Sequence, residues 1–343
     1  MVVYCPPLQF IVKSYDFIFI RYRQSNMNTN AADTSAGANT SAGADTSAGA
    51  PTIVLPEEPS ECGLDVSDGG IVTVCSTKSA IKEMKKVLEE RRVNTSPLVT
   101  DKAVVDAMKE ELNCKTEKCV LTNPKFVKPE IKQIIQESIS RLKPKGPANT
   151  TALLNNTNID GILKRLTRKF KKFYHMGFQM IDFAGEKDSK GNWKNVGRTV
   201  LTPTELGTID MVKDVIEKGY ESFGVVLNTD VRTGGGIHWF SLYAQFNVDP
   251  ITLEYFNSSG NKPVRQIQEW LAKTEDAIRA SGRKVSVIAL SGVVHQKDSD
   301  TECGLYSLYY IWNRLKGVPA INFQKKRIPD SMMIKFRPHL FSS

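Results

Sequence analysis

Cysteine and histidine are scarce in this chain, with six and four copies among 343 residues. The cysteines (Cys5, Cys62, Cys75, Cys114, Cys119, Cys303) are unevenly spaced. That pattern is expected to exclude a disulfide scaffold and fits a reducing, cytosolic compartment. Cys114 and Cys119 lie close together, but a zinc site needs a second close Cys/His pair, and none exists. No metal or cofactor is therefore expected. Long apolar runs are also missing. The best candidate, LQFIVKSYDFIFI at 8–20, is broken by Lys13 and Asp16 and is followed by no small-residue cleavage site, so neither a signal peptide nor a membrane span is expected. Residues 1–26 read as an upstream extension or as a misassigned start, since Met27 opens a more ordinary beginning. Large side chains are absent from 33–50, where DTSAGA, NTSAGA and DTSAGA follow one another. Such a segment cannot bury enough surface to offset backbone ordering, and residues 1–58 are expected to be a low-complexity tail.

The net charge of +9 and pI near 9.1 fit an acidic partner, whether nucleic acid, anionic membrane or acidic protein surface, or simply solvated lysine-rich faces. From 59 to 146 the pattern is helical and charged. Ile81, Met84, Val87 and Leu88 share one helical face, Val104, Val105, Met108 and Leu112 another, and KPEIKQIIQESISRL gives a third helix with Pro129 in its first turn. From 147 to 325 helix and strand alternate. A long helix carries Ile159, Ile162, Leu163, Leu166, Phe170 and Phe173 on one face. FGVVLNTD, IHWFSLYAQF, ITLEYFN and KVSVIALSG read as strands, PVRQIQEWLAKTEDAIRA as an amphipathic helix, and a final helix follows Cys303. The expected class is α+β, a sheet antiparallel in its middle with helices around it. Residues 326–343 read as a C-terminal tail.

The chemistry-bearing residues fall in two short runs, GGGIHWFSLY and HQKDSDTECGLYSLYYIWNRL. In the second, Cys303 stands between Glu302 and Gly304 at the first turn of a helix, where amide N–H groups and the macrodipole favour a thiolate. In the first, His238 opens an apolar strand and is a candidate base for that thiol. The next strand is joined through the turn-rich NVDP, so the two should pair as a hairpin. A turn at 247–250 makes partner numbers sum to about 495–497, which sets His238 opposite residues 257–259 at the open end. Asn257 can then accept the imidazole N–H and fix its tautomer. Asp249, the tempting acid, lies at the turn, roughly 30 Å away at strand rise. Gln296, seven residues before Cys303, can aim its amide at a developing oxyanion, with the Cys303 N–H as second donor. His295 is a competing base only if its loop folds back; His175 and His339 have no nucleophile pattern beside them.

The set His238-Trp239, Asn257, Gln296 and Cys303-Gly304-Leu305-Tyr306 resembles the pattern of the ubiquitin-like-protein (SUMO) protease and adenovirus-proteinase superfamily. It is most similar to the viral branch, the proteases of nucleocytoplasmic large DNA viruses that process virion core polyproteins. LLNNTNIDGIL (153–163) and ELNCKTEKCVL (111–121) resemble segments of those proteins, and the resemblance spans residues 100–320 or so. It implies a papain-like core, a central mixed sheet flanked by helices, preceded by the N-terminal helical module. It also implies cleavage after Gly-Gly or Gly-Gly-X in viral polyproteins, a site free of metal, and action in the host cytoplasm, at the viral factory, and in the virion. Trp239 is then expected to bind substrate along a narrow glycine tunnel. Three departures stand out. The Gln-to-Cys spacing is one residue longer than usual, Asn257 replaces the commoner Asp, and Leu153-Leu154 stands where the family has Trp-Leu.

Two other functions fit parts of the pattern. A SUMO or ubiquitin-like isopeptidase acting on host conjugates would use the same chemistry. A catalytically dead, nucleic-acid-binding virion scaffold would use the basic run Lys164, Arg165, Arg168, Lys169, Lys171 and Lys172; the same run could hold an active enzyme on DNA, where phosphate contacts are salt-sensitive. Its blander reading is the solvated face opposite the apolar stripe.

Overall fold

Three threonines start the first helices. The hydroxyls of Thr77, Thr100 and Thr116 accept the N–H of Ala80, Ala103 and Cys119, which satisfies one orphan amide at each helix start. The helices that follow are Lys78–Glu90 (α1), Asp101–Glu111 (α2) and Glu117–Thr122 (α3); a 3₁₀ turn at Pro129–Ile131 then leads into Lys132–Arg141 (α4). The computed structural model describes residues 60–66, 74–147 and 151–342, so the low-complexity repeats and Cys5 lie outside the described residues. α3 was not expected: it is one short turn-and-a-half, and Val120 and Leu121 alone show no period. Its Glu117 is buried and accepts the N–H of Cys75 and of Ser76, tying the chain before α1 to α3. The expected faces of α1 and α2 form this module's core, with Ile81, Met84, Val87, Leu88, Val104, Val105 and Met108 buried.

The expectation of unpaired cysteines is corrected. Cys62 is bonded to Cys75 and Cys114 to Cys119. Sequence spacing says nothing about the fold-back that makes the first pair: an isolated bridge between Cys62 and Leu142 brings the chain before α1 beside the end of α4.

Asn156–Lys169 (α5) opens with a reciprocal capping box between Asn155 and Asn158. It buries Ile159, Ile162, Leu163 and Leu166. Phe173 is not on this helix; it begins an unexpected strand, Phe173–Met180 (β1). The strand has no clean alternation because Gly177, at φ 61°, accompanies a register shift between His175 and Phe178. A small hairpin follows, Asn195–Val196 (β2) with Thr199–Val200 (β3), then Glu205–Thr208 (α6) and a π-helical turn at Met211–Ile216. The remaining elements are Ser222–Asn228 (β4), Trp239–Gln245 (β5), Ile251–Phe256 (β6), Arg265–Ala280 (α7), Val285–Leu290 (β7), Cys303–Leu315 (α8), Asn322–Lys325 (α9) and Asp330–Leu340 (α10).

The main sheet has the order β1-β4-β5-β6-β7, with parallel outer pairs and antiparallel inner ones. This is the expected mixed sheet, antiparallel in its middle. Two-residue alternation along β5 sends Phe240, Leu242 and Ala244 to a core with α7, and Trp239 and Tyr243 to a core with α5 and α8. β4 and β5 are therefore covered on both faces. In the hairpin Ser241 pairs with Phe256 and Leu242 with Tyr255, which is the upper end of the expected register.

Residues 326–343 are not a tail. α10 packs against α8, burying Met333, Phe336 and Leu340 in the same core as Cys303, because these apolar residues fall on one helical face. Three residues of the basic run 164–172, which begins on α5, have partners within the protein. Arg165 makes an ion pair with Asp65 at 2.8 Å, Arg168 donates to the Ser140 carbonyl at 2.6 Å, and Lys172 pairs with Glu221 at 2.5 Å. Two of these ties hold α5 to the helical module. Among the described residues no helix is long and apolar enough to cross a membrane.

Candidate active site

β5 starts one residue after His238, so the histidine sits where the strand opens, its carbonyl accepting the Thr229 N–H at 2.9 Å. Its Nε2 lies 2.7 Å from Asn257 Oδ1, at the end of β6, as the hairpin register requires. Asn257 is buried and its orientation is determined by its neighbours. Oδ1 accepts the Ser259 N–H at 3.0 Å and the Ser259 hydroxyl at 2.8 Å, while Nδ2 donates to the Tyr255 hydroxyl at 3.0 Å. A backbone N–H can only donate, so the atom facing His238 is the amide oxygen. Nε2 therefore carries the proton, and Nδ1 is the basic nitrogen of the neutral ring. Burial holds the His238 pKa below its ordinary value, opposed by the Asn257 hydrogen bond, so the ring rests in its base form at neutral pH. Asp249 pairs with Lys284 at the exposed turn, away from this site.

Cys303 is the first residue of α8, at the helix end that favours an anion. The approach of α8 to β5 and α5 depends on Gly304. A Cβ there would stand 3.1 Å from Leu154 Cβ and 3.2 Å from Trp239 Cδ1. Contact between residues 304 and 239 brings the chain at Cys303 next to the chain at His238. Cys303 is 1 % exposed, and its sulfur is in the disulfide state. The reduced form is the one able to act as a nucleophile. Trp239, expected along a substrate tunnel, is also 1 % exposed; its indole N–H donates to the Leu154 carbonyl at 3.1 Å, and its ring meets Phe178 edge-on. It packs beside Gly304. Its anchor is the Leu153-Leu154 segment that departs from the family pattern.

Gln296 lies on the loop between β7 and α8 and is fastened to the Asn257 turn. Its backbone N–H donates to the Ser258 carbonyl at 3.0 Å, and its Oε1 accepts the Ser258 hydroxyl at 3.0 Å. Nε2 donates one hydrogen to the Ser299 carbonyl at 2.9 Å, which leaves the second amide hydrogen for another acceptor. The loop thus presents the amide from the same turn that orients the histidine. His295 is excluded as a base. It is buried against Phe256, and its Nδ1 accepts the Ile328 N–H at 3.0 Å. Residues that sequence reasoning missed are the supports: Ser258, Ser259 and Tyr255 around Asn257, and Glu302, buried beside Arg337 at 3.7 Å. The Ser-Ser pair after Asn257 was the available signal for the first group.

Burial lowers the pKa of all four histidines, to about 4 for His295 and His339. Above pH 6.5 these rings are neutral in both folded and unfolded chains. For His295 and His339, between 6.5 and about 4 the unfolded chain binds protons that the folded chain refuses, so their contribution to stability falls with pH and levels off below 4. For His295 and His339, both buried, the loss amounts to about 2–3 kcal/mol each by pH 4. The melting temperature is expected to drop steadily from pH 7 to pH 4, and less steeply in His339→Gln. An unchanged melting temperature across that range would contradict the assignment.

No family model matches the chain. Among known proteins it is 35% identical over 287 residues to a cysteine protease of African swine fever virus, which covers 82% of this chain and 95% of that protein. A protein of another isolate of the same virus, called a SUMO-1 cysteine protease, is 34% identical over the same share. Among solved structures, the crystal structure of the African swine fever virus protease aligns with a TM-score of 0.59 and 30% identity, covering 84% of this chain and 97% of that one. With the sheet and the His–Asn and Cys elements in place, the chain belongs to this family of viral, SUMO-protease-like cysteine peptidases.

Proposed function

We propose that this peptidase cleaves viral polyproteins after Gly-Gly or Gly-Gly-X, maturing core proteins during virion assembly in the host cytoplasm and within the virion. The observation that carries the catalytic part is the His238–Asn257 pair, locked in one tautomer at the opening of the strand that contacts the Cys303 turn. Cys303 is the nucleophile, His238 the base, Asn257 the group that orients it, and Gln296 with the first-turn amide of α8 the oxyanion donors. The Sγ–H proton passes to His238 Nδ1 and the thiolate attacks the carbonyl carbon of the residue before the cut. The negative charge on the carbonyl oxygen is met by the amide donors, which are fixed before reaction and need no reorganisation. Collapse breaks the C–N bond, and His238 returns its proton to the leaving amine. A water, deprotonated by His238, then hydrolyses the thioester and restores the thiol.

The glycine preference rests on relatives of this sequence pattern. Selection for glycine works by steric exclusion, since glycine offers no side chain to hold. Substituting Ala for the penultimate glycine of a Gly-Gly-X peptide is expected to lower kcat/KM by about 100-fold or more. Equal turnover of the two peptides would reject glycine selection. The substrate itself is tested by mass spectrometry of virion proteins incubated with the reduced enzyme. Cuts confined to Gly-Gly-X sites support polyprotein maturation. Release of a folded ubiquitin-like fusion, with those sites left intact, would support the isopeptidase reading, toward which the name SUMO-1 cysteine protease of some relatives points. A DNA partner for the 164–172 run would show as salt-sensitive binding of duplex DNA, though Arg165, Arg168 and Lys172 already have partners within the protein.

A further inference from the structure

The loop that carries Gln296 is tied internally through Ser299 and Thr301, but Lys297 and Asp298 are held from outside by the helix following α9. Asp330, the first residue of α10, is 4 % exposed. Its Oδ2 accepts the N–H groups of Lys297 at 3.1 Å and Asp298 at 2.8 Å. Its Oδ1 accepts the hydroxyl of Tyr306 at 3.0 Å, and Tyr306 lies one helical turn beyond Cys303. A single buried carboxylate therefore joins the Gln296 loop to the Cys303 helix. Two further contacts run the same way. Arg327 Nε donates to the His295 carbonyl at 3.0 Å, and the Ile328 N–H donates to His295 Nδ1 at 3.0 Å. Asp330 touches neither Gln296 nor Cys303.

We propose that Asp330 is a positioning residue for catalysis, setting the reach of the Gln296 amide relative to the Cys303 nucleophile through the 297–298 backbone. The proposal rests on the reading of Gln296 as an oxyanion donor. The extra residue between Gln296 and Cys303 gives it a physical cause. A longer loop samples more conformations, and a charged acceptor for two consecutive N–H groups removes that freedom. The charge is matched by Arg327, 3.4 Å away. The sequence reading assigned this residue to a tail.

A misplacement of about 1 Å in a catalytic group can cost 10²-fold in rate, so Asp330→Ala is expected to lower kcat by about 10- to 100-fold with KM nearly unchanged. Asp330→Asn should retain most of the rate, because its oxygen can still accept both N–H groups and its amide can donate to the Tyr306 hydroxyl. The deciding measurement is a double-mutant cycle on the reduced, full-length enzyme with a Gly-Gly-X peptide. If Asp330 acts through Gln296, Asp330→Ala adds little to the loss already caused by Gln296→Ala. The rate at which iodoacetamide alkylates Cys303 should stay within about two-fold of wild type, because the nucleophile itself is untouched. Additive losses in the cycle, or a matching fall in alkylation rate, would overturn the proposal in favour of general support of the fold. If Gln296→Ala alone leaves kcat unchanged, the oxyanion reading fails, and the proposal with it. If Gln296→Ala is slow while Asp330→Ala is fully active, the proposal fails and the oxyanion reading stands. Should Asp330→Ala not fold, Asp330→Ser carries the same comparison, since its hydroxyl is too short to span both amides.

Discussion

In the reduced enzyme, replacing Cys303 by alanine is expected to reduce peptide hydrolysis by ~10⁴-fold or more while leaving the melting temperature within a few degrees of reduced wild type. The rate falls because covalent catalysis is lost outright: among the described residues no other cysteine is the first residue of a helix. The fold survives because removing one sulfur from the first turn of α8 opens a small gap, and the packing of Gly304 against Leu154 and Trp239 is unchanged. The same residue should be the one that iodoacetamide labels first after mild reduction. Cys62, Cys75 and Cys114 are buried and, like Cys119, bonded within the helical module, and none of the four is the first residue of a helix. Residual turnover in Cys303→Ala above a few thousandths of wild type, or labelling spread evenly over the thiols, would remove Cys303 from the mechanism.

His238→Ala is expected to lower kcat/KM by about 10²–10⁴-fold, the range that general acid–base catalysis commands. Nothing near the site replaces it, since His295 has its Nδ1 occupied by the Ile328 N–H and is buried against Phe256. Asn257→Ala should cost less, about 10-fold to 100-fold, because the asparagine holds the ring and exchanges no proton. Asn257→Asp can accept from the same Nε2–H and from both Ser259 donors, and should retain much of the rate. It should also raise the His238 pKa through its negative charge. The lower limb of the pH–rate profile then moves if it reports that ring, and Asn257→Asp separates this group from others that titrate nearby. A fully active His238→Ala enzyme would reject the assignment of the base. Equal losses in His238→Ala and Asn257→Ala would show that orientation, rather than proton transfer, limits the rate.

Much of this site was legible in the sequence because hairpin pairing is arithmetic. Once NVDP was taken as the turn, the period of two residues and a fixed partner sum brought His238 and Asn257 to one end and sent Asp249 to the other. Ser241 pairs with Phe256 in that register. Cys303 at a helix start was likewise local information, carried by the apolar run that follows it. Gln296 was placed by spacing alone, and its anchoring to Ser258 and Ser299 could not be read from the chain.

What the sequence by itself determined was therefore the local and periodic part: the apolar faces of α1, α2, α5 and α7, four of the five strands of the main sheet, the hairpin register and the candidates for the reacting groups. Tertiary structure decided the rest. β1 was hidden because Gly177 and a register shift erase its alternation, and only pairing with β4 makes it a strand. The Cys62–Cys75 pairing depends on the fold-back of residues before α1 onto the end of α4, a long-range contact with no local signature. The burial of Trp239 under α8, beside Gly304, is likewise a tertiary outcome. The C-terminal helix, eleven residues with an internal proline, reads as a tail in the sequence, and only packing on α8 gives its apolar face of Met333, Phe336 and Leu340 a partner. Its worth lies in a carboxylate, Asp330, whose donors on Lys297, Asp298 and Tyr306 are more than twenty residues away in sequence. A buried charge of that kind is stable only where distant N–H and O–H donors converge on it, and that convergence exists only in the folded chain.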